Sequence, residues 1–410
     1  MDTLTLQLTT MTYGPAALGR HGQKAIFVPY GLPGETVRVE VVDDQGRYAH
    51  ARLLEVLQPS PERVAPPCPY FGPDGCGGCA WQHAAYTAQL RFKTQVVADQ
   101  LTRIGRLADP PVLPTLADSS GWAYRNQARF HPAAEEGLGF LAAAGQRVVP
   151  VDGCLLLHPL LADLYDALDL DLPGLAALTL RASTASGERL LIFETADDEP
   201  PALELDLPVS CVLLRSDGSV LTMVGQDTLT EVVAGHAYRV SAPSFFQVNT
   251  AQAEPLVRLA LDGLALTGGE TVLDAYCGVG LFTLPLAERA GLVLAVEADP
   301  SAVDDLLANS AALENVEVIE GTVAAALAGL DEPLDAALVD PPRGGLEREA
   351  LVGLIAAAPR RIVYVSCDPA TLARDGQQLA RAGYQLLQVQ PVDMFPQTYH
   401  IETVSLWRRK

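Results

Sequence analysis

The sequence predicts a multidomain α/β protein: a small all-β unit first, an α+β unit in the middle, and a Rossmann-like, doubly wound unit last. Three observations carry this. A length of 410 residues suffices for about two or three domains. With 49% hydrophobic and 19% charged residues, each can bury a core, which excludes disorder as the main state. The hydrophobic pattern also changes along the chain, from crowded period-two stretches to an alternation of strands and helices.

Residues 1–58 form the first predicted unit. Leu4 to Leu8 alternates, Lys24 to Pro29 is an apolar run, Thr36 to Val41 alternates again, and Tyr48 to Val56 follows. Tyr13-Gly14-Pro15, Gly31-Leu32-Pro33-Gly34 and Asp43-Asp44-Gln45-Gly46 separate them as turns. Four or five short strands in so little chain point to an OB-like barrel. Pro59, Pro61, Pro66 and Pro67 punctuate its end.

Residues 59–240 read as α+β. A cysteine loop spans 68–79, and Ala84 to Leu107 reads as a helix, within a segment of about 84–112 expected to lie on the last unit. Leu160 to Leu170 reads as a helix, and Arg189–Phe193 and Cys211–Leu214 as strands. From 241 to 410, strands at Thr271–Asp274, Leu292–Glu297, Val316–Ile319, Ala336–Val339 and Arg361–Ser366 alternate with helices, the signature of a doubly wound parallel sheet.

Charge is unevenly spread. The net charge is −22, yet of 28 basic and 50 acidic residues 13 of each lie in positions 1–150, so the whole excess falls after 150. Taken whole, that argues against a polyanionic partner; taken by halves, the objection applies only beyond residue 150. Only Lys24, Lys93 and Lys410 are lysines, and the remaining cations are arginines, suited to planar phosphate and base recognition. No basic, apolar leader opens the sequence, and no apolar run reaches the ~18 residues of a membrane span. A cytoplasmic protein without a membrane partner is therefore expected.

The last unit carries the chemistry. In Val272-Leu273-Asp274-Ala275-Tyr276-Cys277-Gly278-Val279-Gly280 a buried strand runs into a glycine loop and the helix Phe282–Glu288. Glycine lets backbone approach a ligand at the carboxyl edge of the sheet. Glu297 then ends the next strand, where it can hold a ribose diol. The loop is not G-x-G-x-x-G, and its pattern fits S-adenosylmethionine better than a dinucleotide. Cys277 inside it reads as a small packing residue. Asp340-Pro341-Pro342-Arg343 presents a carboxylate at the same edge from a rigid turn. Amino-methyltransferases place an aromatic where Arg343 stands.

Cys367, in Ser366-Cys367-Asp368-Pro369, follows a buried strand directly and is placed for nucleophilic attack. Glu402 opens a late strand, Thr403–Trp407, and could reach the cleft as a base, with His400 ranked below it. Phe245, Phe246, Gln247 and Asn249 set two aromatics beside two amides, a pattern that stacks on a base and reads its edge while one phenylalanine packs in the core. Cys68, Cys76 and Cys79 are a metal signal with Cys154 as fourth ligand, although spacing leaves Cys211 open. Four thiolates suit either zinc or an iron–sulfur cluster.

Taken together these pieces resemble the RNA uracil-C5 methyltransferases, which form 5-methyluridine in tRNA and ribosomal RNA. The resemblance runs over nearly the whole chain. Phe27-Val28-Pro29 and Leu32-Pro33-Gly34-Glu35 are similar to that family's TRAM barrel, an RNA-binding module. Cys68, Cys76, Cys79 and Cys154 match its 4Fe-4S motif, with seven residues in the first gap rather than the family's usual five. The family commonly has Asn at the place of Asp368 and Phe at that of Tyr276. The match implies methyl-donor contacts from Gln247, Tyr276, Leu281, Glu297, Thr322 and Asp340. It implies uracil contacts from Asp340 and Phe245, Cys367 as nucleophile and Glu402 as base.

The implied partner is structured RNA, large-subunit (23S) ribosomal RNA first and tRNA second, bound by a monomer. RNA is expected over the neutral first third, where Arg91, Lys93, Arg103, Arg106, Arg125 and Arg129 lie, with Arg125 and Arg129 nearest the substrate. A cytosine-C5 RNA methyltransferase shares the chemistry but gives no reason for the cysteine loop. An iron–sulfur RNA-binding protein that is not an enzyme would leave Cys367 and Glu402 idle.

Overall fold

The computed structural model describes residues 3–133, 137–143, 145–169, 173–204, 206–330 and 333–410. The first five strands are β1 (Thr3–Met11), β2 (Ala16–His21), β3 (Lys24–Pro29), β4 (Thr36–Asp44) and β5 (Tyr48–Gln58). They close a barrel in the order β1-β2-β3-β5-β4. Alternation drives this: Leu6, Leu8, Ile26, Val28, Val37 and Val39 turn inward and are buried. Four of the strands were legible as alternating or apolar runs. β2 was not, because Ala-Ala-Leu-Gly-Arg-His carries little apolar contrast.

The link after the barrel is pinned by charge. Glu35, wholly buried, receives bonds from Arg63 Nε at 2.5 Å and Nη2 at 2.9 Å, and from the Leu32 and Ser60 amides. Helix α1 (Tyr86–Arg103) follows. Trp81, Ala84, Ala88 and Phe92 join the barrel core, while Val96, Val97 and Leu101 join the core beneath the last sheet. One helix therefore packs against both.

The middle of the chain holds β6 (Gln127–Pro132), β7 (Leu138–Leu141), β8 (Val148–Pro150), α2 (Pro159–Asp166), β9 (Leu175–Ala182), β10 (Arg189–Thr195), β11 (Ser210–Leu214) and β12 (Val220–Val224). They make a seven-stranded sheet, β12-β11-β10-β9-β6-β7-β8. The helical stretch expected at Leu160–Leu170 ends earlier, at Asp166, and Leu170 lies outside the described residues. A hairpin of β13 (Thr228–Val233) and β14 (His236–Ser241) leads onward.

The last part runs α3 (Thr250–Leu264), β15 (Thr271–Ala275), α4 (Thr283–Ala287), β16 (Leu292–Glu297), α5 (Pro300–Ser310), β17 (Val316–Glu320), α6 (Val323–Ala328), β18 (Ala336–Val339), α7 (Arg348–Ala357), β19 (Arg361–Ser366), α8 (Pro369–Arg381), β20 (Tyr384–Val392) and β21 (Glu402–Arg409). The sheet order is β17-β16-β15-β18-β19-β21-β20. The five strands expected to be parallel are so, and β20 runs the same way, but β21 lies between β19 and β20 antiparallel to both. This corrects the all-parallel expectation. A chain that returns directly after β20 as a neighbouring strand, with no crossover helix, must run antiparallel.

The expected basic face needs a larger correction. Arg91 pairs with Glu62, Arg103 with Asp99 at 2.8 Å, and Arg129 with Glu194 at 2.7 Å. Lys93 is wholly buried against Asp393 at 2.6 Å. Four of the six cations in that series are therefore already paired, two of them with carboxylates beyond residue 150. Among the described residues no helix is long and apolar enough to cross a membrane.

Candidate active site

A cleft of about 600 Å³ opens at the carboxyl ends of β15, β16, β18 and β19. Phe245, Gln247, Tyr276, Leu281, Glu297, Asp340, Cys367 and Glu402 all line it. Eight residues read from separate motifs thus converge on one space.

One wall is a glycine loop closed by the strand-end carboxylate of Glu297. The loop after β15 passes through left-handed backbone at Tyr276 (φ 61°), Gly278 (φ 54°) and Gly280 (φ 99°). Gly280 is obligatory on space as well as angle, since a Cβ there would meet Leu306 Cδ1 at 2.8 Å. Asn309 donates to the Val279 carbonyl at 2.9 Å and fixes the loop from α5. Glu297 accepts from the amides of Gly278, Ala298 and Asp299 at 2.7–2.8 Å. A carboxylate has about four acceptor positions, so one remains for a ligand hydroxyl. Behind the loop Asp274 is wholly buried, accepts from Thr283 Oγ1 at 2.6 Å, and has Oδ1 unpartnered. Burial pushes its carboxyl up to about 7. Cys277 is buried core, as its small size suggested.

The facing wall carries two carboxyl groups and a thiol. Cys367 follows directly on β19 and precedes Asp368, which caps α8 by accepting from the Ala370 and Thr371 amides. Burial, then the Glu402 and Asp340 carboxylates, push the Cys367 thiol up to about 12, and Arg343 opposes them. Asp340 is raised to about 7 by burial and by Asp274. Glu402, buried at the head of β21, is held well above the usual carboxylate range by burial and Asp340, again against Arg343. Three groups that each lose a proton to become negative thus share one dry space with one arginine. His400 is pushed down to about 4 by burial and by Arg343, so it is neutral near pH 7.

The cleft mouth belongs to the 241–249 loop. Arg181 of β9, wholly buried, donates to the Ser241 and Ser244 carbonyls at 3.0 Å, and Asn126 to the Gln247 carbonyl at 3.2 Å. The loop is therefore held from the middle sheet. Phe246 packs inward against Tyr238, whereas Phe245 is 71% exposed.

Other expected site residues lie elsewhere. Thr322 caps α6, accepting from the Ala325 amide at 3.2 Å, and does not line the cleft. Arg129 is in its ion pair with Glu194, and Arg125 sits beside the cysteines. Sequence reading did not assign Phe395 to the cleft or Tyr13 to its border. Phe395 lies in the run before Glu402, so proximity in sequence could have found it. Tyr13 could not be found that way: it reaches across from the barrel and donates to Asp368 Oδ2 at 3.0 Å.

Cys68, Cys76, Cys79 and Cys154 line a second, smaller cavity of about 70 Å³, while Cys211 is buried in β11 away from it. Among the described residues no three His, Cys, Asp or Glu side chains converge as ligands of a single ion. The thiols surround a space instead. The Gly78 amide donates to Cys76 Sγ at 3.3 Å, Gln82 donates to Cys79, and the Leu156 and Leu157 amides donate to Cys154. Burial pushes Cys79 up to about 12, with the neighbouring thiols adding to it. Such N–H···S bonds favour the thiolate, the form that binds metal.

A doubly wound sheet with a strand-end Glu beside a glycine loop, facing a thiol and a buried carboxylate, defines an S-adenosylmethionine-dependent methyltransferase. Residues 204–328 and 329–410 match the family described as tRNA (Uracil-5-)-methyltransferase, and residues 4–54 match the TRAM domain. A Thermosynechococcus vestitus protein described as an uncharacterised RNA methyltransferase is 35% identical, covering 98% of this chain and 97% of its own. A Streptomyces avermitilis protein of the same description is 36% identical over 96% of each. The Pyrococcus abyssi tRNA (uracil-54, C5)-methyltransferase, solved with S-adenosyl-L-homocysteine, superposes with a TM-score of 0.75 at 25% identity, covering 99% of this chain and 100% of that one. The chain belongs to the tRNA (uracil-5-)-methyltransferase family, and is an RNA uracil-C5 methyltransferase with an N-terminal TRAM barrel.

Proposed function

We propose that this protein methylates C5 of one uridine in a structured RNA through a covalent bond from Cys367 to C6 of the base. The observation that carries the reading is the meeting of Cys367, Asp340 and Glu402 in one cleft with the glycine-loop wall. C5 of uracil is a weak nucleophile, so the chemistry must first raise its electron density. S-adenosylmethionine, when bound, supplies an electrophilic methyl group; Glu297, Tyr276, Leu281 and Gln247 are the side chains that would hold it.

Cys367 gives its proton to the Asp340 carboxylate, and the thiolate adds to C6. The C5=C6 electron pair moves toward C5 and O4 as an enolate. Protonated Asp340 then donates to O4, a hydrogen bond strongest when charge develops there. After C5 has gained its methyl group, Glu402 removes the C5 proton, the C6–S bond breaks, and the thiolate leaves. Splitting one hard substitution into addition and elimination is what covalent catalysis achieves. Phe245 at the mouth stacks on a base drawn out of its helix, a cost of a few kcal/mol in a duplex and less in a loop.

Cys68, Cys76, Cys79 and Cys154 would hold a 4Fe-4S cluster. A cavity ringed by four thiols, one of them accepting the Gly78 amide, has the donor set of a cluster. There it would tie the 68–79 loop to the Cys154 loop and fix their relative place. The four-cysteine motif favours large-subunit ribosomal RNA as substrate, acted on by a cytoplasmic monomer divided at about residues 58 and 240. The likeness to a tRNA (uracil-54) enzyme favours tRNA as the second reading.

Nucleoside mass spectrometry of fractionated RNA from a deletion strain tests the reading. Loss of 5-methyluridine from the ribosomal fraction supports it, and loss from tRNA supports the second. Loss of 5-methylcytidine, or no change, would refute uracil methylation.

A further inference from the structure

Helix α1 turns two buried polar side chains toward one loop. Gln89 and Lys93 lie four residues apart, so they stand one above the other on the helix. Both are wholly buried, an unusual fate for a lysine and an amide. Each is directed at residues 393–400, the loop between β20 and the base Glu402 that also carries the cleft residues Phe395 and His400.

The bonds are dense and leave little slack. Lys93 Nζ donates to Asp393 Oδ1 at 2.6 Å, to the His400 carbonyl at 2.8 Å and to the Phe395 carbonyl at 3.0 Å, using all three ammonium protons. Gln89 donates to Gln397 Oε1 at 2.9 Å and accepts from the Gln397 amide at 3.0 Å. The Gln397 carbonyl in turn accepts from the Ala80 and Trp81 amides. Gln397 has a φ of 68°, a left-handed conformation that a side chain adopts only when its surroundings impose it. The loop is thus held in a strained path by residues more than 290 positions away in sequence.

We infer that Gln89 and Lys93 are positioning residues for the proton-removal step: they set where Glu402 stands relative to C5 of the base. This rests on the reading of Glu402 as the base. Neither residue lines the cleft, so neither touches substrate. Cys367 comes from β19 and the Cys367–Asp368 turn, which the loop contacts of Gln89 and Lys93 do not include. Loosening the loop therefore disturbs elimination and leaves thiolate addition in place. The covalent enzyme–RNA species then accumulates.

The test uses the full chain with S-adenosylmethionine and end-labelled unmodified transcripts of large-subunit ribosomal RNA and of tRNA. Gln89→Leu removes the Gln397 bonds, together with those to the Trp81 and Ala84 carbonyls, without stranding a charge. The double variant Lys93→Met with Asp393→Asn removes both partners of the buried pair together, because removing one alone leaves a buried charge. Both should lower kcat about tenfold or more and show a slow-migrating labelled species on denaturing gels. Glu402→Gln run alongside separates the two ideas. If Glu402→Gln accumulates the species and neither positioning variant does, the inference is overturned and the base assignment stands. If Glu402→Gln accumulates none, the base assignment fails and the inference with it.

Discussion

The crowding of Cys367, Glu402 and Asp340 makes a quantitative demand on thiol reactivity. At pH 8 a thiol pushed up to about 12 is ionised in only about one molecule in ten thousand. Burial is the larger cause and survives substitution; the neighbouring carboxylates are the part that can be removed. Glu402→Gln keeps the shape and deletes one of them, and adding Asp340→Asn deletes both. A nearby like charge is worth roughly one to two pKa units for such a pair. Each unit gained multiplies thiolate tenfold but lowers its intrinsic nucleophilicity about threefold, for a net gain of about threefold. Alkylation of Cys367 should therefore speed up about threefold to tenfold in the double variant, and less in Glu402→Gln, where Asp340 can still ionise. Arg343→Met should slow it, since that cation favours the thiolate. The assay is the pseudo-first-order rate of iodoacetamide labelling of the Cys367 peptide, followed by mass spectrometry. An unchanged or slower rate in the double variant, or a faster one in Arg343→Met, would refute the electrostatic account.

Three further outcomes are expected. Phe245→Ala should raise KM for RNA roughly fivefold to a hundredfold, the worth of one base stack, with the melting temperature unchanged because the ring is exposed; a KM unaltered by the change counts against stacking. Anaerobically purified protein should contain about four irons per chain and absorb broadly in the visible, and Cys79→Ala should lose both; zinc in place of iron would reject the cluster. Asp274 is raised to about 7 from an unfolded value near 4, so the stability it contributes is complete below about pH 4 and lost as pH climbs to about 7. Between pH 5 and 8, wild-type stability should thus fall by about 2 to 3 kcal/mol more than that of Asp274→Asn, measured by urea denaturation. Equal pH dependence in the two proteins would show that Asp274 is not the group responsible.

Much of the catalytic unit was legible because its signals are local. A strand, a glycine turn and a helix over residues 271–288 are specified by neighbours, and the same holds for the strand-end places of Glu297, Asp340 and Cys367. β20 was missed because Tyr384–Val392 intersperses glutamines among its apolar residues, and its outer edge is bridged by the distant Val112 and Leu116. The helix-capping use of the Thr322 hydroxyl was not legible, because a loosely patterned segment offers no register.

The fate of charge lies beyond local reading. Net neutrality before residue 150 looked like an open basic face; in the folded chain Arg91, Arg103 and Arg129 are paired, and Lys93 is buried against Asp393, three hundred residues on. Tyr13 meets Asp368 across 355 positions. Sequence order settles which groups can ionise, bend or stack, since those are properties of a residue and its immediate neighbours. Coulomb energy and desolvation depend on distance and burial, and these exist only once the chain is packed. That is why the candidate nucleophile, base and methyl-donor residues could be read from motifs, while the grip of helix α1 on the 393–400 loop came into view only with the fold.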